Sequence, residues 1–184
     1  MTSSLTSVEL SPEWFVRPNG SNGAEGIHGL GHTRRVLIHA LEIADALEAS
    51  GEEVLDDCER QAIRLAALWH DIGRTHDGVD YYHGAKSAGK VAGLGLHLGV
   101  DSAVRDLALF AITHHCGSEE HAEWGAHWMP DTQATLKVFR VLKDADALDR
   151  VRLGPHGDLD PSFLRFEVSR GRVERAWELL GEVR

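Results

Sequence analysis

The sequence has little of several features that define specialised classes of protein. It contains 2 cysteines and 5 prolines among 184 residues, and 7% of its residues are aromatic. Two cysteines do not form the disulfide framework of a small secreted domain, and so few prolines exclude collagen-like and low-complexity chains. No apolar run approaches 18 residues, and the first residues lack the basic and apolar regions of a signal peptide. We therefore expect a soluble, cytoplasmic protein with no membrane partner.

Positive charge is also scarce. The 19 Lys and Arg residues are outnumbered by 29 Asp and Glu residues, which gives a net charge of -10. General nucleic-acid binding depends on many basic side chains that neutralise phosphates, so this balance argues against it. An anionic ligand must instead be met by individual cations placed close to it.

Apolar residues at helical spacing are abundant. Hydrophobic residues make up 42% of the chain, which is long enough for one domain with its own core. They recur every three or four positions, whereas no alternating strand pattern exceeds about four residues. We predict an all-α, single-domain helical bundle over residues 1–184. Its core covers about 27–152, residues 1–13 form a loose N-terminus, and residues 153–184 form a C-terminal helical extension.

The helical spacing and the capping residues together predict where the helices lie. The predicted helices are 29–49, 52 or 56 to 70, 83–98, 101 or 102 to 115, and 131 or 132 to 151, with a short helix after Ser11 and one or two helices at the C-terminal end. The segment 117–131 is predicted to be a loop. Its side chains His121, Trp124, His127 and Trp128 either cover a site or pack on the body of the protein.

Histidine is frequent, with 12 residues, and it is the commonest metal ligand. His70 and Asp71 are adjacent where an apolar helix breaks, so both side chains can reach one ion, and His32 lies near the start of the preceding helix. Asp146 lies between two alanines, on or beside a buried face where an unpaired carboxylate is unfavourable by roughly several kcal/mol. An ion bound by these two imidazoles and two carboxylates would be Mn, Fe, Co, Ni or Zn.

These residues and their surroundings resemble the HD-domain superfamily of metal-dependent phosphohydrolases. The resemblance covers about residues 29–152 and includes GHTRRV, LWHDIGR and LKDADALDRV. It implies an HD-type helical fold and hydrolysis of a phosphate ester of a small molecule, with a nucleotide as the leading substrate, by a metal-bound hydroxide. The family pattern favours Asp146 over its neighbour Asp144 as the last ligand.

Many members of the family bind a second ion through further histidines. Here the matching residues are His83 in YYHGAKSA and the doublet His114-His115 in AITHHC. The resemblance implies two ions bridged by Asp71, with His83 and His114 on the second ion and His115 as a phosphate contact or proton donor. Some family members use both histidines of the doublet as ligands. Cys116 stands where a subfamily that hydrolyses cyclic dinucleotides has Glu, which argues against that substrate.

Three cations are candidates for contacting the substrate phosphate, namely Arg74, Lys86 and Arg150. Lys86 lies three residues after His83 and Arg150 lies one turn after the last ligand, so both share a helix face with a metal ligand. Asp77 orients the attacking water, or acts as a general base if only one ion is bound. The alternative for each cation is a solvated position on a helix surface.

Two other classes of function remain open at this point. The HD resemblance includes di-iron oxygenases with the same order of ligands, which would act on a small polar substrate. A non-catalytic metal-binding or ligand-binding module is the third class. It is disfavoured because packing alone does not maintain a buried cluster of carboxylates and histidines.

Overall fold

The computed structural model describes residues 10–154 and 159–183. Within these residues the protein is all-α, as predicted, with eight α-helices and no β-strand. The helices are α1 Leu30–Ser50, α2 Asp57–Trp69, α3 His83–Gly93, α4 Ser102–His114, α5 Glu119–Ala126, α6 Thr132–Leu148, α7 Glu167–Arg170 and α8 Val173–Glu182. None of these helices combines the length and the apolar character that crossing a bilayer requires.

Capping side chains explain where the main helices begin. The Asp56 carboxylate accepts from the backbone N–H of Glu59, whose side chain accepts in return, so a capping box starts α2. Asp101 caps α4 and Asp131 caps α6 in the same manner, through N–H groups that the helix itself leaves unpaired. Helix α1 ends at Gly51, whose φ of 73° is left-handed. Acidic or small residues therefore set the helix boundaries.

The core lies between α1, α2, α4 and α6, which pack on one another, while α3 packs against α4. Each of the four central helices buries large apolar side chains completely, for example Ile43, Ile63, Ile112 and Phe139. Burying one such side chain stabilises the fold by about 1.5–3 kcal/mol. This packing fixes the ends of α2 and α4, from which several of the candidate ligands project.

Three segments differ from the sequence-based prediction. Residues 117–131 are not a loop throughout, because α5 forms there and the Ser118 side chain caps it. Helix α3 ends at Gly93 instead of continuing to residue 98, and α6 ends at Leu148, after which residues 149–153 form a 3-10 helix. The short helix after Ser11 is present as a 3-10 helix, Pro12–Phe15. The expectation of a loose N-terminus falls, for residues 1–9, outside the described residues.

Candidate metal centre

Three helices bring His32, His70, Asp71 and Asp146 together. His32 lies in the first turn of α1, the adjacent pair directly follows α2, and Asp146 lies in the last turn of α6. The Nε2 atom of His32 is 3.1 Å from Nε2 of His70 and 3.5 Å from Oδ2 of Asp71. It is also 3.3 Å from Oδ1 of Asp146. The four residues expected to share one ion therefore lie together, with His32, His70 and Asp71 buried and Asp146 partly exposed.

A second group lies on the other side of Asp71. The Nε2 atom of His83, at the start of α3, is 3.2 Å from Oδ1 of Asp71 and 2.9 Å from Nε2 of His115. His115 follows α4, and its Nε2 is 3.7 Å from the same Asp71 oxygen. Asp71 thus presents one carboxylate oxygen to each group.

His114 and His115 are arranged in the opposite way to the expectation that His114 is the ligand. The His114 ring packs on Phe110, with 4.4 Å between ring centroids, and lies 5.5 Å from the ring of His121. Neighbouring residues on a helix point about 100° apart, so only one of the pair can face the centre. That residue is His115, which occupies the position expected for His114 and is not placed as a separate proton donor.

Each of the four histidines is held through its Nδ1 atom. The acceptor is a backbone carbonyl in three cases, namely Ala67 for His70 at 2.9 Å, Asp80 for His83 at 2.5 Å and Ile112 for His115 at 2.7 Å. A carbonyl can only accept, so Nδ1 carries the proton and the lone pair of Nε2 faces the centre. His32 donates instead to the Asp149 carboxylate, at 2.7 Å.

The residues fit a bound cation. The Oδ1 atom of Asp71 is buried and has no hydrogen-bond partner. The Nε2 atoms of His83 and His115 face each other at 2.9 Å although both rings already donate through Nδ1, so two lone pairs oppose each other. A divalent ion satisfies all of these donors at once, and the nitrogen and oxygen donors suit Mn, Fe, Co, Ni or Zn.

The electrostatics of the centre favour added positive charge. Burial lowers the pKa of His70 to about 3, so its ring is neutral. Burial raises the pKa of Asp71, but the adjacent histidines, His70 foremost, hold it well below its usual range. Burial also lowers the pKa of His32, yet hydrogen bonds to Asp146 and two further carboxylates raise it to about 10. Without an ion, His32 therefore keeps a proton among the carboxylates.

Asp149 is a residue to which the sequence analysis gave no role. It is fully buried and accepts from Nδ1 of His32 and, at 2.6 and 3.1 Å, from Nε and Nη2 of Arg35. Its position in LKDADALDRV, three residues after Asp146, is the signal that could have identified it. Asp149 fixes the His32 ring and at the same time neutralises a buried arginine.

The two neighbouring carboxylates of α6, Asp144 and Asp146, face different partners. Asp144 is fully buried, but it accepts from the backbone N–H groups of Arg165 and Phe166 at 2.9 to 3.1 Å. It therefore ties the C-terminal segment to α6. Asp146 is the one that faces His32, as the family pattern indicated.

Both groups open into a cavity of about 660 Å³, a volume typical of small-molecule sites. Arg74, Asp77 and Arg150, which the sequence analysis selected, line this cavity. Arg74 donates to Oδ2 of Asp71 at 3.0 Å, and Asp77 pairs with Arg17 at 2.8 Å. The cavity therefore carries cations beside the metal centre.

Lys86 does not have the position expected of a phosphate contact. Its side chain is exposed, does not line the cavity, and pairs with Asp80 at 2.8 Å. Lys143, which the sequence analysis did not select, does line the cavity, one turn before Asp146 on α6. Its ammonium group donates to the carbonyl of Gly117 at 2.5 Å, and no carboxylate of residues 10–154 or 159–183 forms a salt bridge with it.

The tryptophans on and just after α5 neither cover the cavity nor pack into the body. Trp124 and Trp128 are 65% and 79% exposed, and neither lines the cavity. The aromatic residues on its rim are Tyr81 and Phe163, which are 77% and 72% exposed. The open mouth of the site is therefore formed by the segment after α2 and by the C-terminal segment.

Comparisons with known proteins agree with this geometry. The chain is similar to the crystal structure of a predicted HD superfamily hydrolase from an uncultured Thermotogales bacterium, with 26% identity and a TM-score of 0.56 over 92% of this chain and 82% of that chain. A comparison with curated proteins finds no significant match. These findings support a metal-dependent hydrolase in general. A model of the HD domain matches residues 29–151, two thirds of the chain, so the protein belongs to the HD-domain family.

Proposed function

We propose that the protein is a metal-dependent phosphohydrolase that cleaves a phosphate ester of a small molecule, with nucleotides as the substrate class. One observation carries the proposal. A single buried carboxylate, Asp71, offers Oδ2 to one group of ligands and Oδ1 to a second, beside a cavity whose wall includes Arg74, Lys143 and Arg150. The residues that would hold the first ion are His32, His70, Asp71 and Asp146, and those for the second are Asp71, His83 and His115.

The cations of the cavity wall bind the substrate. When bound, the divalent ions lower the pKa of a coordinated water from about 15.7 toward about 7, which supplies a nucleophile at neutral pH. Arg74, Lys143 and Arg150 line the cavity, and in the proposed reaction they bind the phosphoryl oxygens, on which negative charge is spread in the transition state. Because Arg74 also donates to Asp71, it keeps that carboxylate oriented.

Asp77 and His28 are two wall residues that can accept or donate a proton. Burial raises the pKa of Asp77, but the hydrogen bond from Arg17 holds it below its ordinary value, so it is a carboxylate at neutral pH. Burial lowers the pKa of His28 to about 4, so its ring is neutral. The His28 Nδ1 atom lies 3.5 Å from Asp77. In the proposed reaction Asp77 orients the attacking water, and acts as its general base when a single ion is bound.

The rim of the cavity supports a substrate that carries a flat ring. Tyr81 and Phe163 expose most of their aromatic surface there, and the apolar side chains Ile27, Leu153 and Leu159 also line the cavity. A nucleobase stacks on such side chains, while its phosphate reaches the cations below.

The test is metal analysis of protein purified without chelator, followed by assays with nucleotides and other phosphate esters in the presence of Mn²⁺ or Co²⁺. We expect phosphate release by the native protein. We expect Asp71→Asn to lose turnover and bound metal while its far-ultraviolet circular dichroism stays native. Asp45→Asn, which changes an exposed carboxylate on α1, is the matched control and keeps full activity.

Two outcomes contradict the proposal. Full activity of Asp71→Asn removes the bridging carboxylate from the chemistry. Consumption of O₂ by iron-loaded protein, together with failure to hydrolyse any phosphate ester, indicates a di-iron oxygenase instead.

A further inference from the structure

Cys116 lies beside the second group of ligands and has no role in the function proposed above. A ring nitrogen of His83, a ring nitrogen of His115 and the Cys116 sulfur all lie within 4.8 Å of one another. The thiol is half-buried, lines the cavity, and donates to the carbonyl of Tyr81 at 3.3 Å. It is therefore within reach of an ion held by the two histidines.

A second, independent observation points to an ion at this place. The Oδ1 atom of Asp71, whose side chain is 2% exposed, has no hydrogen-bond partner and lies 3.2 Å from Nε2 of His83. Both histidines of this group use Nδ1 for a backbone carbonyl, so each turns Nε2 toward the same space, where Nη2 of Arg74 lies 3.4 Å from Nε2 of His83. The sulfur thus lies within 4.8 Å of a ring nitrogen of each histidine, and the Asp71 oxygen lies beside the same two histidines.

We propose that Cys116 is a thiolate ligand at the second metal position, for a borderline-soft or soft ion such as Zn²⁺, Co²⁺ or Cd²⁺. The inference rests on the proposed metal centre. Two histidines, one carboxylate and one thiolate make up a donor set that favours tetrahedral Zn²⁺, and sulfur selects softer ions. The first group contains only nitrogen and oxygen donors, so the two positions differ in the ions they prefer.

Ligation by Cys116 would remove the place that a water molecule could occupy on an ion at the second position. The S–H group would leave the Tyr81 carbonyl, its proton would pass to solvent, and the sulfur electron pair would bind the ion, so the thiol would release one proton for each ion bound at this position. Four protein donors then complete a tetrahedral shell and leave no place for water, as in structural zinc sites. A harder ion such as Mn²⁺ leaves the thiol protonated and the position open. Zn²⁺ and Cd²⁺ are therefore expected to inhibit the hydrolase where Mn²⁺ supports it.

The test uses the full chain, freed of metal with chelator and titrated with Cd²⁺, Co²⁺ or Mn²⁺. Only a sulfur ligand gives the near-ultraviolet thiolate-to-metal charge-transfer band. We expect this band with Cd²⁺ and Co²⁺ in the native protein and in Cys58→Ser, but not in Cys116→Ser. Cys58 is the matched control, since it is the other cysteine, lies on α2, and does not belong to the group. Cys116→Ser is also expected to weaken Cd²⁺ binding at one of two sites by about tenfold or more and to leave Mn²⁺ binding within about twofold.

A chemical readout keeps the test decisive if Cys116→Ser does not fold. In Cys58→Ser the remaining thiol should react with iodoacetamide at least about tenfold more slowly with Cd²⁺ bound, and at an unchanged rate with Mn²⁺. Binding of two Cd²⁺ ions without a charge-transfer band, or with a band that persists in Cys116→Ser, overturns the thiolate ligand and leaves the proposed hydrolase intact. Failure to bind any divalent ion overturns both proposals.

Discussion

Asp149 determines which nitrogen of His32 faces the centre. It accepts from Nδ1 of His32 at 2.7 Å and also neutralises the buried Arg35. We predict that Asp149→Asn weakens metal binding about 10- to 100-fold, because the ring loses the carboxylate that orients it. The same change leaves Arg35 without its carboxylate and should destabilise the fold by about 3–5 kcal/mol. Metal titration calorimetry and urea unfolding measure the two effects.

The control for this prediction is Asp45→Asn. Asp45 also pairs with an arginine, Arg60, but its side chain is 75% exposed. Exposed ion pairs contribute about 0–1 kcal/mol, so this variant should unfold and bind metal almost as the native protein does. Unchanged metal affinity in Asp149→Asn would falsify the role given to Asp149.

Lys143 is the cation of the cavity whose removal should affect substrate binding most directly. Among the described residues its ammonium group donates to the Gly117 carbonyl and lies over the Phe139 ring, 5.4 Å from the ring centroid, while burial, with nearby Arg165, lowers its pKa. A phosphate oxygen would supply the missing anion. A hydrogen bond to a charged group contributes about 1.5–3 kcal/mol, so Lys143→Met should lower kcat/KM about 10- to 100-fold, mainly through KM.

Arg105→Met is the control, because Arg105 is a cation on α4 that pairs with the exposed Asp106 at 2.8 Å and does not line the cavity. Its kcat/KM should stay within about twofold of the native value. Binding of inorganic phosphate to both variants, measured with their metal content, separates loss of a contact from damage to the centre. If Lys143→Met binds phosphate as the native protein does, Lys143 is not a phosphate contact.

At the scale of elements, Gly84 sets how closely α3 approaches α4. A Cβ atom at this position would lie 2.4 Å from the carbonyl oxygen of Ile112 and 2.7 Å from that of Thr113. Gly84→Ala must therefore push the two helices apart and separate His83 from His115. We predict a loss of about 1–3 kcal/mol in urea unfolding and a selective loss of the second metal ion.

Gly89 on the same helix provides the comparison. A Cβ atom at Gly89 meets nothing within 4 Å, so Gly89→Ala should be neutral or stabilise α3 by up to about 1 kcal/mol. Retention of two ions and of native stability in Gly84→Ala would show that the helices adjust without disturbing the centre.

The long helices could be predicted from the sequence because caps and apolar spacing agree in them. Asp56, Asp101 and Asp131 each precede an apolar periodic segment, and each caps a helix. Helix α5 was missed because it has only 8 residues and buries only Ala122 and Ala126, too few for a periodic pattern. Local signals therefore identified elements that carry the core and missed one that lies outside it.

At the scale of the whole molecule, the candidate centre could be predicted only as far as the family motif reaches. The motif names the residues of the first group, and the fold brings them together from distant parts of the chain. The rotation of α4 determines which residue of the doublet faces inward. The rotations of α3 and α6 determine that Lys143, and not Lys86, lines the cavity. Sequence periodicity fixes such rotations only to within about one residue.

His39 makes the stability of the whole fold depend on pH. This residue of α1 is fully buried, neither ring nitrogen has a hydrogen-bond partner, and burial lowers its pKa from 6.5 to about 4. Asp149 and Glu42 oppose this shift, whereas Arg172 and Arg175 reinforce it. The unfolded chain therefore binds more protons than the folded protein between pH 6.5 and about 4.

Stability must fall as the pH is lowered through this window, by up to about 3 kcal/mol from His39 alone. We predict that His39→Leu, which removes two unpaired polar atoms at similar volume, is at least as stable as the native protein at pH 7.5 and loses less stability on acidification. Urea unfolding at pH 7.5, 6 and 5 measures the free energy of unfolding of both proteins. The contributions of the other histidines are the same in both, so they cancel in the difference. His127→Leu changes an exposed histidine on which folding imposes no burial, so it should keep the native slope. Parallel pH profiles for the native protein and His39→Leu would mean that a water molecule or a local opening solvates His39 in the folded protein.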